Sequence, residues 1–402
     1  MKKILILIIF TLCIIQFTIA QPGTLDNSFG INGKVFFEPF QSTCEWVTTQ
    51  RDGKIITGGT TSVSNLDNKK FVIMRFNNDG SADQGFADNG IMAFNNIDGS
   101  RVVQVRKIIL QEDDKILICG SVTTLGKHDI AVIRLNKDGS FDNSFGSNGM
   151  IVKSIGLYDD IGFDEINDMQ IQEDGKILLT GLKGEPYYET GKLYIIRFLP
   201  DGSTDATFGE QGIVIPDVFA VRIMASIDLS VPGKITVAGN TRINSAILLM
   251  RYNLDGSLDN SFGVNGITLQ QLPKMANGNS ILTDVTDMKI LPDKSIWVFG
   301  TSYIKRYGTI ILTKFDEDGK LDATVGNGSG YIIPDFASDY TRAENVYITR
   351  NNKIIATGVY WESGEEDGFA AFSFRADGSL DSSFGENGVA TAGFGNFKSV
   401  LF

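Results

Sequence analysis

The residues of this sequence whose types and spacing could do chemistry are carboxylates. Asp168 and Asp287 fall at equivalent places in two copies of a repeat, and paired carboxylates can divide the acid and base work of cleaving a glycosidic bond. The segment DDIGFDEIND, residues 159 to 168, gathers Asp159, Asp160, Asp164, Glu165 and Asp168. It is a weak calcium candidate whose competing reading is a solvated acidic loop. A phrase typified by DGSLDNSFGVNG, residues 255 to 266, carries further Asp residues and returns at 138 to 149 and 377 to 388. Each copy has only two or three carboxylates and lacks the dense alternating Asp spacing of calcium loops. The one histidine, His128, lies in TLGKHDIAV, is expected to be exposed and idle, and leaves no room for a His-rich metal site. Nucleophile elbows, phosphate loops and zinc spacings are absent from the sequence. The expectation is a protein that is not an enzyme and holds no cofactor, with calcium alone left open.

These residues are positioned by a repeat. The phrase occurs seven times, and its central position is Phe29, Phe86, Phe145, Phe208, Phe262, Val325 and Phe384, giving periods of 57, 59, 63, 54, 63 and 59. Between phrases come an apolar run, a polar turn, a second apolar run ending in Gly, a variable loop, and a third run ending in a basic residue. In the second unit these are KIILQ, EDD, KILICG and DIAVIRLN. Runs rich in Ile, Val and Phe joined by Asp, Asn and Gly turns read as antiparallel strands. A fourth short strand follows the phrase, as in GIMAF and GIVIP. The turn residue opening the second strand is Lys54, Lys115, Lys176, Lys234, Ser295 and Lys353, so six units are complete. Four strands in about 59 residues, six times over, predict an all-β fold: a β-propeller of six four-stranded blades. GKVFFEP and FKSVLF lie outside the complete units, and seven-bladed closure is the alternative.

Repetition also separates folding from function. Gly is second in every phrase (Gly23, Gly80, Gly139, Gly202, Gly256, Gly319, Gly378) and Asp is fifth (Asp26, Asp83, Asp142, Asp205, Asp259, Asp322, Asp381). A residue kept in every blade answers a need that every blade shares. The Asp-Gly pair suits a turn with positive φ, and the fifth Asp is expected to accept backbone N–H groups of the next turn while the Phe plugs the gap between blades. Arg75, Arg134, Arg197, Arg251, Lys314 and Ser373 occupy one further equivalent position, which predicts an ion pair or carbonyl clamp in each blade. With QEDGKILLTG upstream, the phrase resembles the delta-60 repeat of secreted bacterial proteins, over residues 23 to about 392. The resemblance implies a β-propeller and export, and carries over no established activity. Ala87 for the usual Gly and TVGNGSG at 324 to 330 depart from the pattern.

In the similar NHL-type propellers the strand before the turn lysine is innermost, so its start lies at a mouth of the central channel. Eight residues back from the turn position stand Trp46, Lys107, Asp168, Ser226, Asp287 and Asn345, a varied polar ring suited to a small ligand. The competing reading is a set of solvated strand ends. A non-enzymatic binding or scaffold module is the main expectation, with a hydrolase or lyase of extracellular carbohydrate as the alternative. MKKILILIIFTLCIIQFTIA reads as a signal peptide cut near Ala20, leaving a single propeller domain over 21–402 that is secreted, periplasmic or at the cell surface. Without Lys2 and Lys3 the chain has 34 basic and 48 acidic residues, a net charge of 34 − 48 = −14, which argues against nucleic acid as a partner. No later apolar run is long enough to insert into a membrane. A monomer with a protein or carbohydrate ligand is expected, and Cys44 and Cys119 are read as two buried thiols.

Overall fold

The apolar run ILICG at 116–120 has no polar alternation because both of its faces are covered. Ile116, Leu117, Ile118 and Cys119 are all fully buried, as a strand sandwiched between neighbouring sheets must be. A computed structural model describes residues 22–36, 42–61, 69–97, 100–124, 127–155, 163–184, 191–218, 221–241, 246–272, 281, 283–303, 308–334, 340–361 and 368–393. The signal-peptide reading of 1–20 and the terminal FKSVLF fall outside them.

Six antiparallel blades follow one another at 42–94, 100–153, 163–214, 221–270, 283–332 and 340–393, each with its four strands ordered in space as in sequence. The fold is the expected six-bladed β-propeller. The first strands are Ser42–Thr49, Ser100–Leu110, Phe163–Ile171, Val221–Asp228, Thr283–Ile290 and Tyr340–Ile348. Successive first strands from blade 1 to blade 6 contact one another, so they line the central channel. Five hydrophobic clusters fill the interfaces from blades 1 and 2 through blades 5 and 6. Each takes a phrase residue as its plug: Phe86, Phe145, Phe208, Phe262 or Val325. Burying one such Phe contributes roughly 1.5–3 kcal/mol.

Around the rim the phrases clasp neighbouring blades. In blade 2, Asp142 Oδ1 accepts the backbone N–H and hydroxyl of Ser144 at 3.0 and 2.6 Å. Its Oδ2 lies 2.7 Å from Arg134 Nε and 3.1 Å from Lys115 Nζ. Arg134 Nη1 donates onward to the Pro200 carbonyl of the next blade at 2.6 Å, and its guanidinium lies 4.4 Å from the centre of the Phe145 ring. Both expected roles, ion pair and carbonyl clamp, are held by one side chain. Desolvation works against the ionised aspartates, but hydrogen bonds from Lys54, the Gly85 N–H and Arg75 outweigh it and hold Asp83 at about 2. The second-position Gly is required twice over: Gly319 has φ +80°, and a Cβ there would stand 2.4 Å from Cζ of Phe262 in the preceding blade.

Seven phrases serve six blades because the first one bridges the seam. Gly385 N–H donates to the Pro22 carbonyl at 2.7 Å, Gly30 N–H to the Asp79 carbonyl at 2.8 Å, and Lys34 Nζ to the Gly393 carbonyl. The N-terminal phrase thus ties blade 6 to blade 1. Residues 37–39 of the expected strand GKVFFEP lie outside the described set, and residues 33–36 are not in a strand.

Candidate functional site at the channel mouth

Every first strand carries a β-bulge, and the bulges fall at corresponding places. The pairing register breaks between Cys44 and Trp46, Val105 and Lys107, Ile166 and Asp168, Ile223 and Ser226, Val285 and Asp287, and Ala343 and Asn345. The six residues expected to form a ring are thus the six that follow a bulge. All of them line one cavity of about 530 Å³. A bulge leaves one residue unpaired and re-aims its neighbours, so five of the bulged residues, Glu45, Arg106, Asn167, Thr286 and Glu344, join the lining. Period-2 reasoning misses them because it places adjacent residues on opposite faces. The glycines that end the second runs are the sequence trace of these bulges. A Cβ on Gly181 would meet the Glu165 carbonyl oxygen at 1.9 Å, one on Gly120 the Gln104 oxygen at 2.1 Å, and one on Gly358 the Arg342 oxygen at 1.8 Å.

Ring residues of blades 3, 4 and 5 are latched to the blade that follows. Asp168 Oδ2 accepts the Ile227 N–H at 2.9 Å, Ser226 Oγ the Met288 N–H at 3.2 Å, and Asp287 Oδ2 the Val346 N–H at 3.1 Å. Lys107 Nζ pairs with Asp168 Oδ1, and Lys289 Nζ lies 2.8 Å from both oxygens of Asp287. Ser226 Oγ donates between the two carboxylates, 2.9 Å from Asp287 Oδ1 and 3.2 Å from Asp168 Oδ2. Desolvation of Asp287 is outweighed by Lys289, which leaves its pKa below the ordinary value. A general acid needs the opposite shift. With every oxygen engaged, Asp168 and Asp287 hold the mouth together and are poorly placed for acid–base chemistry.

The cavity holds four carboxylates and four cations, and most are matched. Besides Lys107 with Asp168 and Lys289 with Asp287, Arg342 Nε lies 2.5 Å from Glu344 Oε1. Glu45 Oε1 accepts the Thr60 hydroxyl at 2.7 Å. Lys107 Nζ sits 5.3 Å from the centre of the Trp46 ring, and Val47 and Tyr347 at the rim are 61% and 67% exposed.

Other expected candidates are placed differently. Asp159 and Asp160 lie outside the described residues. Asp164 is buried, accepts the Ile155 N–H at 2.6 Å and stands opposite Lys183 in the strand pairing, while Glu165 is half-buried. Among the described residues no three His, Cys, Asp or Glu side chains gather as a metal set. His128 is not on an exposed loop: it belongs to the strand Lys127–Leu135, bridges to Phe163 of blade 3 and is half-buried, which pushes its pKa down. Cys119 is buried and Cys44 half-buried, and burial pushes their thiols up to about 12 and about 11. Among the described residues no helix is long and apolar enough to cross a membrane.

Residues 50–86, 111–145, 172–208 and 233–262 match the family described as a DUF5122 beta-propeller, a domain of unknown function. These segments fall in blades 1 to 4, and the chain is a repeat β-propeller. No curated protein matches the sequence. Among solved structures it is similar to an ulvan lyase of a polysaccharide lyase family bound to an oligosaccharide, with 10% identity over 89% of this chain and 83% of that one and a TM-score of 0.46. It is also similar to a Penicillium chrysogenum α-L-arabinanase complexed with arabinobiose, with 9% identity, 85% and 95% coverage and a TM-score of 0.48. A third is a Fusarium graminearum α-L-arabinofuranosidase, with 9% identity, 83% and 93% coverage and a TM-score of 0.48. Beside these matches the expectation that the chain is not an enzyme is corrected. Missing triads and phosphate loops do not exclude catalysis, because carboxylate chemistry on sugars needs neither.

Proposed function

We propose that this chain is an exported propeller of the delta-60 type that binds carbohydrate at the channel mouth and acts on it as a hydrolase or lyase. One observation carries the reading: a single cavity combines the Trp46 ring with two carboxylates, Glu45 and Glu344, that the inter-blade latches do not use. An aromatic face takes the apolar side of a sugar ring, while carboxylates and guanidinium groups take its hydroxyls. Glu344, paired with Arg342, is the candidate base. Glu45, whose Oε1 accepts the Thr60 hydroxyl at 2.7 Å, is the candidate acid. The two occupy corresponding bulge positions in the blades that meet at the seam.

A panel of extracellular polysaccharides, assayed for binding and for release of reducing or unsaturated ends, tests the proposal. The parent should bind and turn over at least one member. Glu45→Gln and Glu344→Gln should each lower turnover by about 10²-fold or more with binding kept, as expected for positioned acid–base groups. A parent that binds no polysaccharide contradicts the reading. Export is checked separately: N-terminal sequencing of the envelope or culture fraction should begin at Gln21, and an uncleaved membrane-held form would refute it.

A further inference from the structure

We infer that the mouth cavity selects an acidic saccharide, with Arg106 gripping the carboxylate of a uronate residue and Asn167 accepting a neighbouring hydroxyl. The inference deepens, and rests on, the carbohydrate reading above. Three of the four cations in the cavity are satisfied by carboxylates: Lys107 by Asp168, Lys289 by Asp287 and Arg342 by Glu344. Among the described residues Arg106 has no ion pair, and its Nε is buried without a hydrogen-bond partner. Asn167 occupies the equivalent bulge in the next blade, and its Oδ1 is likewise buried and without a partner. Buried polar atoms are nearly always satisfied, so a donor and an acceptor left open at equivalent bulges of neighbouring blades in one cavity need an explanation.

A uronate supplies both missing partners. Its planar carboxylate matches the side-on fork of a guanidinium, which uses Nε–H together with one Nη–H. A ring hydroxyl can donate to Asn167 Oδ1, and Trp46 from the preceding blade lines the same cavity to take the sugar face. Lysine would offer only a point charge here. The chain's net charge of −12 does not oppose this locally, because the cavity's four carboxylates are balanced by four cations. Exposed charges farther away are screened over about 8 Å at physiological salt.

The test uses the full secreted chain and calorimetric titration with three oligosaccharide sets: uronate oligomers, the same oligomers methyl-esterified, and sulfated neutral oligomers. The expected result is that a uronate binds at least about tenfold more tightly than its methyl ester, and that Arg106→Gln makes the two equal without lowering the melting temperature. Arg106→Lys should restore only part of the preference, and Asn167→Ala should weaken both ligands alike. Equal binding of acid and ester by the parent overturns this inference and leaves the carbohydrate reading intact. Sulfated oligomers bound in preference to uronates overturn the carboxylate assignment. Failure of every saccharide to bind overturns the carbohydrate reading itself.

Discussion

The rim and the mouth of the propeller are both repeated, in different ways. At the rim the residue types repeat: Asp83, Asp142, Asp205 and Asp259 each receive an Arg and a turn Lys, and each neighbouring Phe is buried. At the mouth the backbone repeats, with a bulge before the ring residue of every blade, while the side chains it presents run through Trp, Lys, Asp, Ser, Asp and Asn. Residues repeated as types hold the ring. A repeated backbone feature with varied side chains gives a fixed frame on which different chemistry can be displayed.

The largest effect should come from breaking the rim. Asp259→Ala leaves Arg251 and Lys234 without their carboxylate and frees the Ser261 N–H, a loss on the order of 3 kcal/mol in thermal or denaturant unfolding. Asp142→Ala should match it, and chelator should change neither melt. The same substitution should fade along the chain as partners disappear. Asp322 keeps Lys314, but Ser295 stands where other blades have the turn Lys, so Asp322→Ala should cost about 1 kcal/mol. Asp26→Ala, in the exposed N-terminal phrase, should leave the melting temperature unchanged. Equal losses at all three positions would break the rim argument.

A bulge can be attacked through the glycine it leans on. Gly181→Ala would force a Cβ against the Glu165 carbonyl, costing about 1–3 kcal/mol and disturbing Asp168, which directly follows the bulge at Asn167. Unfolding measurements should show that loss, and weakened ligand binding should accompany it. Acid should act mainly on the rim. Asp83 and Asp381 are held at about 2 against an ordinary 3.8, so their contribution is complete above pH about 4 and is lost as pH falls toward 2. Melting temperature should therefore stay nearly flat from pH 7 to about 5 and drop steeply between about 4 and 2, with a shallower drop in Asp259→Ala.

The rim was legible in the sequence because its types recur. Six Asp-Gly phrases, five of them with a cation at a fixed distance upstream, define both the blade and its clasp, and the structure shows Asp142 making the backbone hydrogen bonds the phrase implies. The six ring positions were reachable by counting from the turn lysine. Arg106, Asn167 and Glu344 were not, because a bulge is a break in alternation and alternation is the only signal a strand sequence carries. The glycine at the end of each second run was the one available trace, and its cause, a carbonyl pushed against it, appears only in three dimensions. His128 was misplaced for a related reason: variable loops and strand starts share polar residues, and the strand begins at Lys127.

Trp46→Ala tests the division between rim and mouth most directly, by measuring its melting temperature together with its affinity for the saccharide that the parent binds best. Trp46 lines the cavity, is half-buried and is not one of the latch residues. The account predicts a melting temperature close to the parent's, far above that of Asp259→Ala, with saccharide affinity reduced about tenfold or more. Unfolding as early as Asp259→Ala, or full affinity in the folded variant, would contradict it.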